Sequence, residues 1–401
     1  MIKIKFIKKN FVDVIYNMAS MSIYIFVQQI IIMPYISRNY DQQIFSNVIM
    51  FVTLYNIFTV VVGDELGNTR LVRNNKYINN NSDFTIILFF ATLIINIMLL
   101  ILNSLVDIID NNLLIIILCT ITMGIIRYYM MSYYKIDNEF SRILKLNISY
   151  SAGAVFGLWI TTYFKLLLLP FLIGELFSII YIIRSRKWHI EFRNITRSNE
   201  FENTRKVFLN LMFVSILINL ISYMDRLMIL PILGASAMAI YYASSTISKL
   251  ISLIINPVSG VILAKLSNVS NSYKEKTIFF ITRFVPVIII FGTVGSVILS
   301  YFGVLLLYPM FLTEARQLFI PIGITTSLSS IVYLIKPILI RFFNSRIYTI
   351  INLIYAAVFI VSVSIASSKW GITGFVWAST ISKFIQFSCM IVSIKNEGDG
   401  V

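Results

Sequence analysis

Long apolar runs, each roughly as long as a bilayer is thick, follow one another down the whole chain, with short polar breaks between them. A helix rising 1.5 Å per residue needs about 20 mostly apolar residues to cross ~30 Å of hydrocarbon. On that measure the pattern predicts twelve helices, near 11–33, 44–63, 84–106, 113–134, 146–164, 166–183, 207–230, 236–264, 278–300, 317–340, 347–366 and 371–394. Pro286, Pro309 and Pro321 interrupt the ninth and tenth runs, and Lys165 alone separates the fifth from the sixth. The opening MIKIKFIKKN leads into a long apolar segment with no small-residue cleavage site, so the first run is expected to stay as a span.

Composition agrees with the pattern. Of 401 residues 58% are hydrophobic and 13% charged, and the mean hydropathy is +0.84. Soluble domains run at about 45–50% apolar and about 25% charged, and water would not tolerate the apolar surface such a chain must expose. The expected fold class is therefore all-α, a polytopic membrane protein. Cys119 and Cys389 lie within apolar runs and are read as small core residues. No zinc or disulfide spacing is present, and the single histidine, His189, falls in the polar stretch RSRKWHIEFRN, where it reads as a solvated loop residue. No cofactor or metal is expected.

Lys and Arg accumulate in cytoplasmic loops. With the amino terminus inside, the cytoplasmic segments (the N-terminal arm, 64–83, 135–145, 184–206, 265–277, 341–346 and the carboxyl end) hold 23 of the 33 Lys and Arg. The outward segments hold four, namely Arg38, Lys165, Arg316 and Lys369. Both termini are therefore expected in the cytoplasm, and a missed span would spoil the alternation. The same distribution accounts for the net charge of +15. Basic residues spread over loops without an aromatic platform beside them argue against a nucleic-acid partner.

The longest hydrophilic stretch, 184–206, divides the chain into an N-lobe of six helices (1–183) and a C-lobe of six (207–401), with the basic stretch as a cytoplasmic inter-lobe loop. An offset of 197 residues places Lys8 and Lys9 on Arg205 and Lys206, Phe11 on Phe208, Pro34 on Pro231, and Ile44 and Phe45 on Tyr241 and Tyr242. Such a match fits a parallel repeat, in which a substrate site lies between the halves.

Ionisable residues within spans cost about 2.5–3.5 kcal/mol each at a helix centre on insertion scales, so those present need a reason. Five cations (Arg127, Arg226, Lys249, Lys336, Lys383) face two carboxylates (Glu175, Asp225), a surplus of three positive charges. Asp13 and Arg283 lie close enough to a cytoplasmic edge to be interfacial. Adjacent Asp225 and Arg226 point about 100° apart on a helix and can serve different partners. A wet cationic interior suits an anionic passenger such as a phosphate or pyrophosphate, which Lys and Arg bind through charge-assisted hydrogen bonds. Lys249, Arg38, Arg226, Arg127, Lys383 and Lys336 are the candidate substrate contacts, and Asp225 and Glu175 the candidate ion-coupling or charge-pair groups. No phosphate-loop motif is present, which leaves an ion gradient, the membrane potential or downstream consumption as the energy source. No filter-like loop supports a channel.

Several segments resemble bacterial polysaccharide repeat-unit flippases of the Wzx type, within the multidrug/oligosaccharidyl-lipid/polysaccharide exporter superfamily. Near the start these are Asn10-Phe11, the run Pro34-Tyr35-Ile36-Ser37-Arg38, and Asp41 to Phe45. Further on, Asp225-Arg226, Gly234, Tyr242-Ala243 and Asn256-Pro257 are similar to that family's seventh and eighth helices, and FGVLLLYPMFLTEARQLFIPIG resembles its short Leu-Tyr segment. Two positions depart from the pattern: Ile44-Phe45-Ser46 where the family often carries Gly, and Ala264-Lys265 where it often has Pro-Arg. The resemblance implies a two-lobed, twelve-helix flippase in the bacterial cytoplasmic membrane. It would move an undecaprenyl-pyrophosphate-linked oligosaccharide by alternating access for capsule, exopolysaccharide or O-antigen. The implied partners are that lipid-linked oligosaccharide, membrane lipids, and a polysaccharide polymerase and glycosyltransferases. The implied protein is not an enzyme.

Two alternatives stand beside it. A membrane polymerase or glycosyltransferase would need paired acids flanking the reacting bond, and the nearest pair, Asp107 and Asp110, sits in a short turn. A multidrug exporter of the same superfamily would favour an acidic cavity over a cationic one.

Overall fold

The computed structural model describes residues 15–73, 81–106, 111–185, 188, 190, 196–267, 274–342 and 345–396. Lys8, Lys9, Asn10, Phe11, Asp13, Asp107, Asp110 and His189 lie outside them, as do the side chains of Asn256, Pro257, Lys265 and Arg283. Among the described residues every regular element is helical.

Helix α1 (Ile15–Asn39) loosens into a π-helical turn at Val27–Ile32 and ends at Tyr40, whose backbone is extended. Helix α2 (Gln42–Arg73) contains a second π-turn at Thr59–Asp64. It then runs on to Arg73, ten residues beyond the apolar run that marks it in the sequence. That last stretch, ELGNTRLVR, is polar on one side, which a hydropathy rule misses. Arg70 and Arg73 in its last turns suit the C-terminal end of the helix dipole, and Leu66 is fully buried. The polar segment expected at 64–83 is thus largely helix.

Helices α3 (Asn81–Val106), α4 (Asn111–Ile136), α5 (Phe140–Phe164) and α6 (Leu169–Arg184) follow. The break after the fifth run is real: Lys165 is left-handed (φ 54°) and its N–H bonds to the Thr161 carbonyl, closing α5. Pro170, within the first two positions of α6, fits a helix start, where its missing N–H costs nothing.

Helix α7 (Phe201–Ser267) is broken by a sharp kink at Gly234 (φ 83°, ψ −177°) into limbs α7a (201–233) and α7b (235–267). Helix α10 (Ser345–Asn396) breaks in the same way at Gly371 (φ 56°, ψ −140°) into α10a (345–370) and α10b (372–396). Residues with a Cβ are sterically excluded from such angles, so glycine makes these turns possible. Between them lie α8 (Lys274–Leu307), which carries Pro286 inside, and α9 (Phe319–Phe342), reached through the short helical turns Pro309–Phe311, Leu312–Ala315 and Arg316–Leu318.

The chain divides into two compact units. The first holds Asn47–Tyr223 with everything before Asp41; the second holds Met224–Val401 together with Asp41–Ser46. In the first, α5 packs along α6 with the Tyr150 ring against Gly174. In the second, Val285, Ile331, Ile335, Leu339, Ile351 and Met390 from α8, α9 and both limbs of α10 form a core.

The outward faces are apolar. Phe291 (73% exposed), Phe164 (71%) and Ile115 (69%) show the inversion expected when lipid, not water, is the solvent. Inside, many Ser and Thr hydroxyls turn back onto carbonyls four residues earlier, as Thr53, Ser244, Thr326 and Ser382 do, which satisfies those donors where water is absent. Nine helical stretches among the described residues are long and apolar enough to cross a membrane. The protein is a multi-pass membrane protein. One sequence expectation fails here: Cys119 is exposed on α4 and not part of a core, a placement a thiol tolerates because lipid exacts no penalty for its weak polarity.

Candidate functional site

Each unit carries one cluster of intramembrane charge, and the two clusters differ in kind. In the first unit Arg127 (α4) and Glu175 (α6) form a buried ion pair, with side chains 1% and 0% exposed and Nε–Oε2 at 2.9 Å. Nε also donates to Oε1 at 3.1 Å. The remaining guanidinium nitrogens donate to the Asn147 Oδ1 (3.2 Å) and the Tyr55 hydroxyl (3.0 Å). Tyr55 in turn donates to Glu175, and Asn147 donates to the Ser20 hydroxyl at 2.8 Å. The guanidinium lies over the rings of Tyr24, Tyr128 and Tyr150 at 4.7–5.2 Å. Five helices (α1, α2, α4, α5 and α6) meet on this pair. Every charge is matched, and the site is closed.

The second unit is arranged otherwise. Asp225 (α7a) accepts from Lys249 (α7b) and, at 2.6 Å, from the Tyr241 hydroxyl, while its Oδ1 takes the Arg226 backbone N–H at 2.9 Å. The break at Gly234 turns the chain back so that these groups, up to 24 residues apart, meet. Lys249 is 35% exposed at its side chain and Asp225 13%. The Arg226 guanidinium lies 5.0 Å from the Tyr242 ring centre. Tyr242 packs against Phe45 and Tyr308; Phe45 and Tyr242 are the positions that the 197-residue offset pairs.

Lys383 (α10b) stands 4.0 Å over the Tyr355 ring and donates to the Gln386 Oε1 at 2.9 Å. Gln386 donates to the Asn352 Oδ1 at 2.7 Å. Lys383 is close enough to feel the charges of both Asp225 and Lys249. Lys336 (α9) lies 5.6 Å from the Tyr348 ring centre. Arg38 is exposed in the last turn of α1.

Of the residues singled out in the sequence, then, the fold brings Arg127 to Glu175, and Asp225 to Lys249 with Arg226 and Lys383 around them. The tyrosines that hold the cations carried no individual signal in a chain with 22 of them. The stripe Tyr348, Asn352, Tyr355, at steps of four and three, is a helical face that could have been read.

A further polar cluster joins the connector before α7 to the first unit. Asp83 accepts the Ser198 N–H (2.9 Å) and hydroxyl, and Arg73 pairs with Glu200 at 2.8 Å. The Asn203 amide and the Arg73 guanidinium hold the Glu200 carboxyl below its ordinary pKa. Arg70, 6% exposed, is stacked between Phe84 and Tyr133 and donates to the Tyr129 hydroxyl at 2.9 Å.

No family profile matches the sequence, and no curated protein matches it. Solved structures do. The lipid II flippase MurJ in an inward closed conformation aligns with a TM-score of 0.67, at 15% identity, over 98% of this chain and 87% of that one. A mutant of the Vibrio cholerae MATE transporter VcmN aligns at 0.65, with 12% identity over 98% and 97%. The chain shares the fold of these transporters. An outward-facing multidrug resistance MATE transporter of the MOP superfamily also aligns, at 0.57, with 13% identity over 96% and 95%. MOP-superfamily proteins are thus its structural neighbours, and the fold covers nearly the whole chain.

Proposed function

We propose that the protein is a Wzx-type flippase that carries an undecaprenyl-pyrophosphate-linked oligosaccharide across the bacterial cytoplasmic membrane by alternating access, for assembly of a surface polysaccharide. The observation that carries this reading is the charge within the second unit's spans: among their described side chains Arg226, Lys249, Lys336 and Lys383 are cations and Asp225, paired with Lys249, is the one carboxylate. Cations in lipid are costly, and a pyrophosphate group on the passenger would offset them through charge-assisted hydrogen bonds. The likeness to a solved lipid II flippase supports a passenger with a lipid anchor.

On this reading α7 and α10 each count as two spans, because Gly234 and Gly371 break them, and α6, at 16 residues, counts as one. The total is twelve, with both ends in the cytoplasm. Lys249, Arg226 and Lys383 are the leading passenger contacts, with Arg38 and Lys336 flanking. The pair Arg127–Glu175 is assigned to holding its lobe together. The protein does no covalent chemistry in this scheme; a polymerase and glycosyltransferases supply and consume what it moves.

The test is Lys249→Ala. Surface polysaccharide should be lost while the variant inserts and accumulates at the normal level; normal polymer from well-expressed variant overturns the assignment. The MATE neighbours support a second reading, a multidrug exporter. Loss of drug resistance with intact polysaccharide on deleting the gene would favour it.

A further inference from the structure

Charged side chains inside a membrane bundle are commonly stabilised by an opposite charge, and Arg127 shows that this chain can build such a pair. Its second unit mostly does something else. Lys336 and Lys383 have no carboxylate within ion-pair distance among the described residues. Each instead faces a tyrosine ring: Lys336 on Tyr348 at 5.6 Å, Lys383 on Tyr355 at 4.0 Å. Lys249, which does have a carboxylate, also lies 5.2 Å from the Tyr241 ring centre, and Arg226 lies 5.0 Å from that of Tyr242.

A ring face and a carboxylate stabilise a cation in different ways. A carboxylate accepts its N–H groups and cancels its charge. A ring attracts it through the quadrupole, by about 0.5–2 kcal/mol, and leaves both the charge and most donors in place for another anion. Tyr348 and Tyr355 lie on one face of α10a, seven residues or about 10 Å apart along the axis, with Asn352 between them tied to Gln386. The lysines they hold are therefore spaced along the lobe. The inner one, Lys383, lies within electrostatic range of Lys249 and Asp225.

We propose that Lys336 and Lys383, each set on a tyrosine ring rather than on an acid, form with the Asp225-paired Lys249 a row of anion stations within the C-terminal unit, with Tyr355 and Tyr348 as positioning residues. The passenger's anionic group is handed from one station to the next along α10a. This inference rests on the anionic-passenger reading above and adds to it a route and the residues that build the route.

The experiment uses the purified full chain in nanodiscs and inorganic pyrophosphate as probe, with binding read by calorimetry. Tyr355→Phe keeps the ring and should bind within about twofold of wild type. Tyr355→Leu removes it and should weaken binding about tenfold, the upper part of the cation–π range, as Lys383→Gln does. Tyr348→Phe and Tyr348→Leu should repeat the contrast at Lys336, more weakly because the ring is farther away. Rescue by phenylalanine separates a ring that holds a cation from a hydroxyl that holds the fold, and a monodisperse Phe variant keeps the test open if the Leu variant fails to fold. Equal binding by the Phe and Leu variants, or a Phe variant as weak as Lys383→Gln, overturns the row of stations. If Lys249→Ala and Lys383→Gln weaken binding while the ring variants change nothing, the proposal fails and the anionic-passenger reading survives. If the wild-type protein binds no pyrophosphate, both fall.

Discussion

Glu175→Gln is the most informative single change in the first unit, because it removes a charge and almost nothing else. The amide keeps the shape of the carboxyl, and its one oxygen, placed at Oε1, can still accept from Tyr55 and from the Arg127 Nε, while its NH2 takes the place of the Oε2 that accepted from Nε at 2.9 Å. What it leaves is a guanidinium 1% exposed, bonded to neutral groups and surrounded by three tyrosine rings. Breaking a buried pair by neutralising one partner typically costs about 3–5 kcal/mol. Lipid cannot relax the site by hydration, so the upper half of that range is expected. Replacing both partners, as Arg127→Met with Glu175→Leu, removes the orphaned charge. The loss should then fall to about 1–3 kcal/mol, the cost of leaving the Tyr55 hydroxyl and the Asn147 amide short of partners. Unfolding in mixed micelles of rising SDS content, followed by fluorescence of the four tryptophans, measures all three proteins. A Glu175→Gln variant that unfolds with the wild type refutes the reasoning. A double variant as unstable as the single one shows that the polar bonds, not the charge, hold the five helices. A double variant that is stable yet moves no substrate would return Glu175 to the coupling role.

Two further outcomes follow from the same geometry. Glu200 is held below its ordinary pKa by Asn203 and Arg73, so its contribution to anchoring the connector is complete above the unfolded value of about 4.5 and is lost as pH falls through the lower folded value; amide-exchange protection of residues 196–204 should drop over that window in the wild type and show no such drop in Glu200→Gln. Gly234→Ala places a Cβ at φ 83° and should cost about 1–3 kcal/mol, while Leu233→Ala beside it should cost less in the same micelle titration.

Much of the architecture was legible because lipid leaves so little choice. Long apolar runs are a consequence of satisfying every backbone hydrogen bond internally in hydrocarbon, and the described helices fall on those runs. What hydropathy misjudged were places where polar residues stay helical: Glu65–Arg73, whose polar Thr69, Arg70 and Arg73 are buried along with Leu66, and Pro309–Leu318, which forms short helical turns between the end of α8 at Leu307 and the start of α9 at Phe319. The sharp turn at Gly234 was visible as a small-residue turn; its counterpart at Gly371 was read as the first residue of the twelfth run. The polar clusters were half legible. Asp225 and Lys249, one helical turn-back apart, could be picked out by charge. Tyr355 and Asn352 lay on a readable helical stripe with Tyr348, but Tyr241 and Gln386 could not be picked out, since the sequence contains many such residues and only the packing of α7 and α10 selects these.

The largest change the structure makes to the sequence argument is where the positive surplus sits. Counted over the spans, five cations against two carboxylates look like one cationic interior. Arg127 and Glu175 cancel inside the first unit, behind a wall of tyrosines, which removes one cation and one acid from any site facing a passenger. The second unit then holds four cations to a single acid. The surplus is the same three charges, but all of it lies in one lobe, on helices α7, α9 and α10. A lobe that needed cations for its own cohesion would pair them as the first lobe pairs Arg127, since its Asp225 shows that an acid can be accommodated there. Lys336 and Lys383, set on tyrosine rings with no carboxylate within ion-pair distance among the described residues, cost stability that the fold does not recover by itself. An anion that arrives and leaves recovers it, and this asymmetry between the lobes, more than the count of charges, is what makes a transported anion the economical explanation.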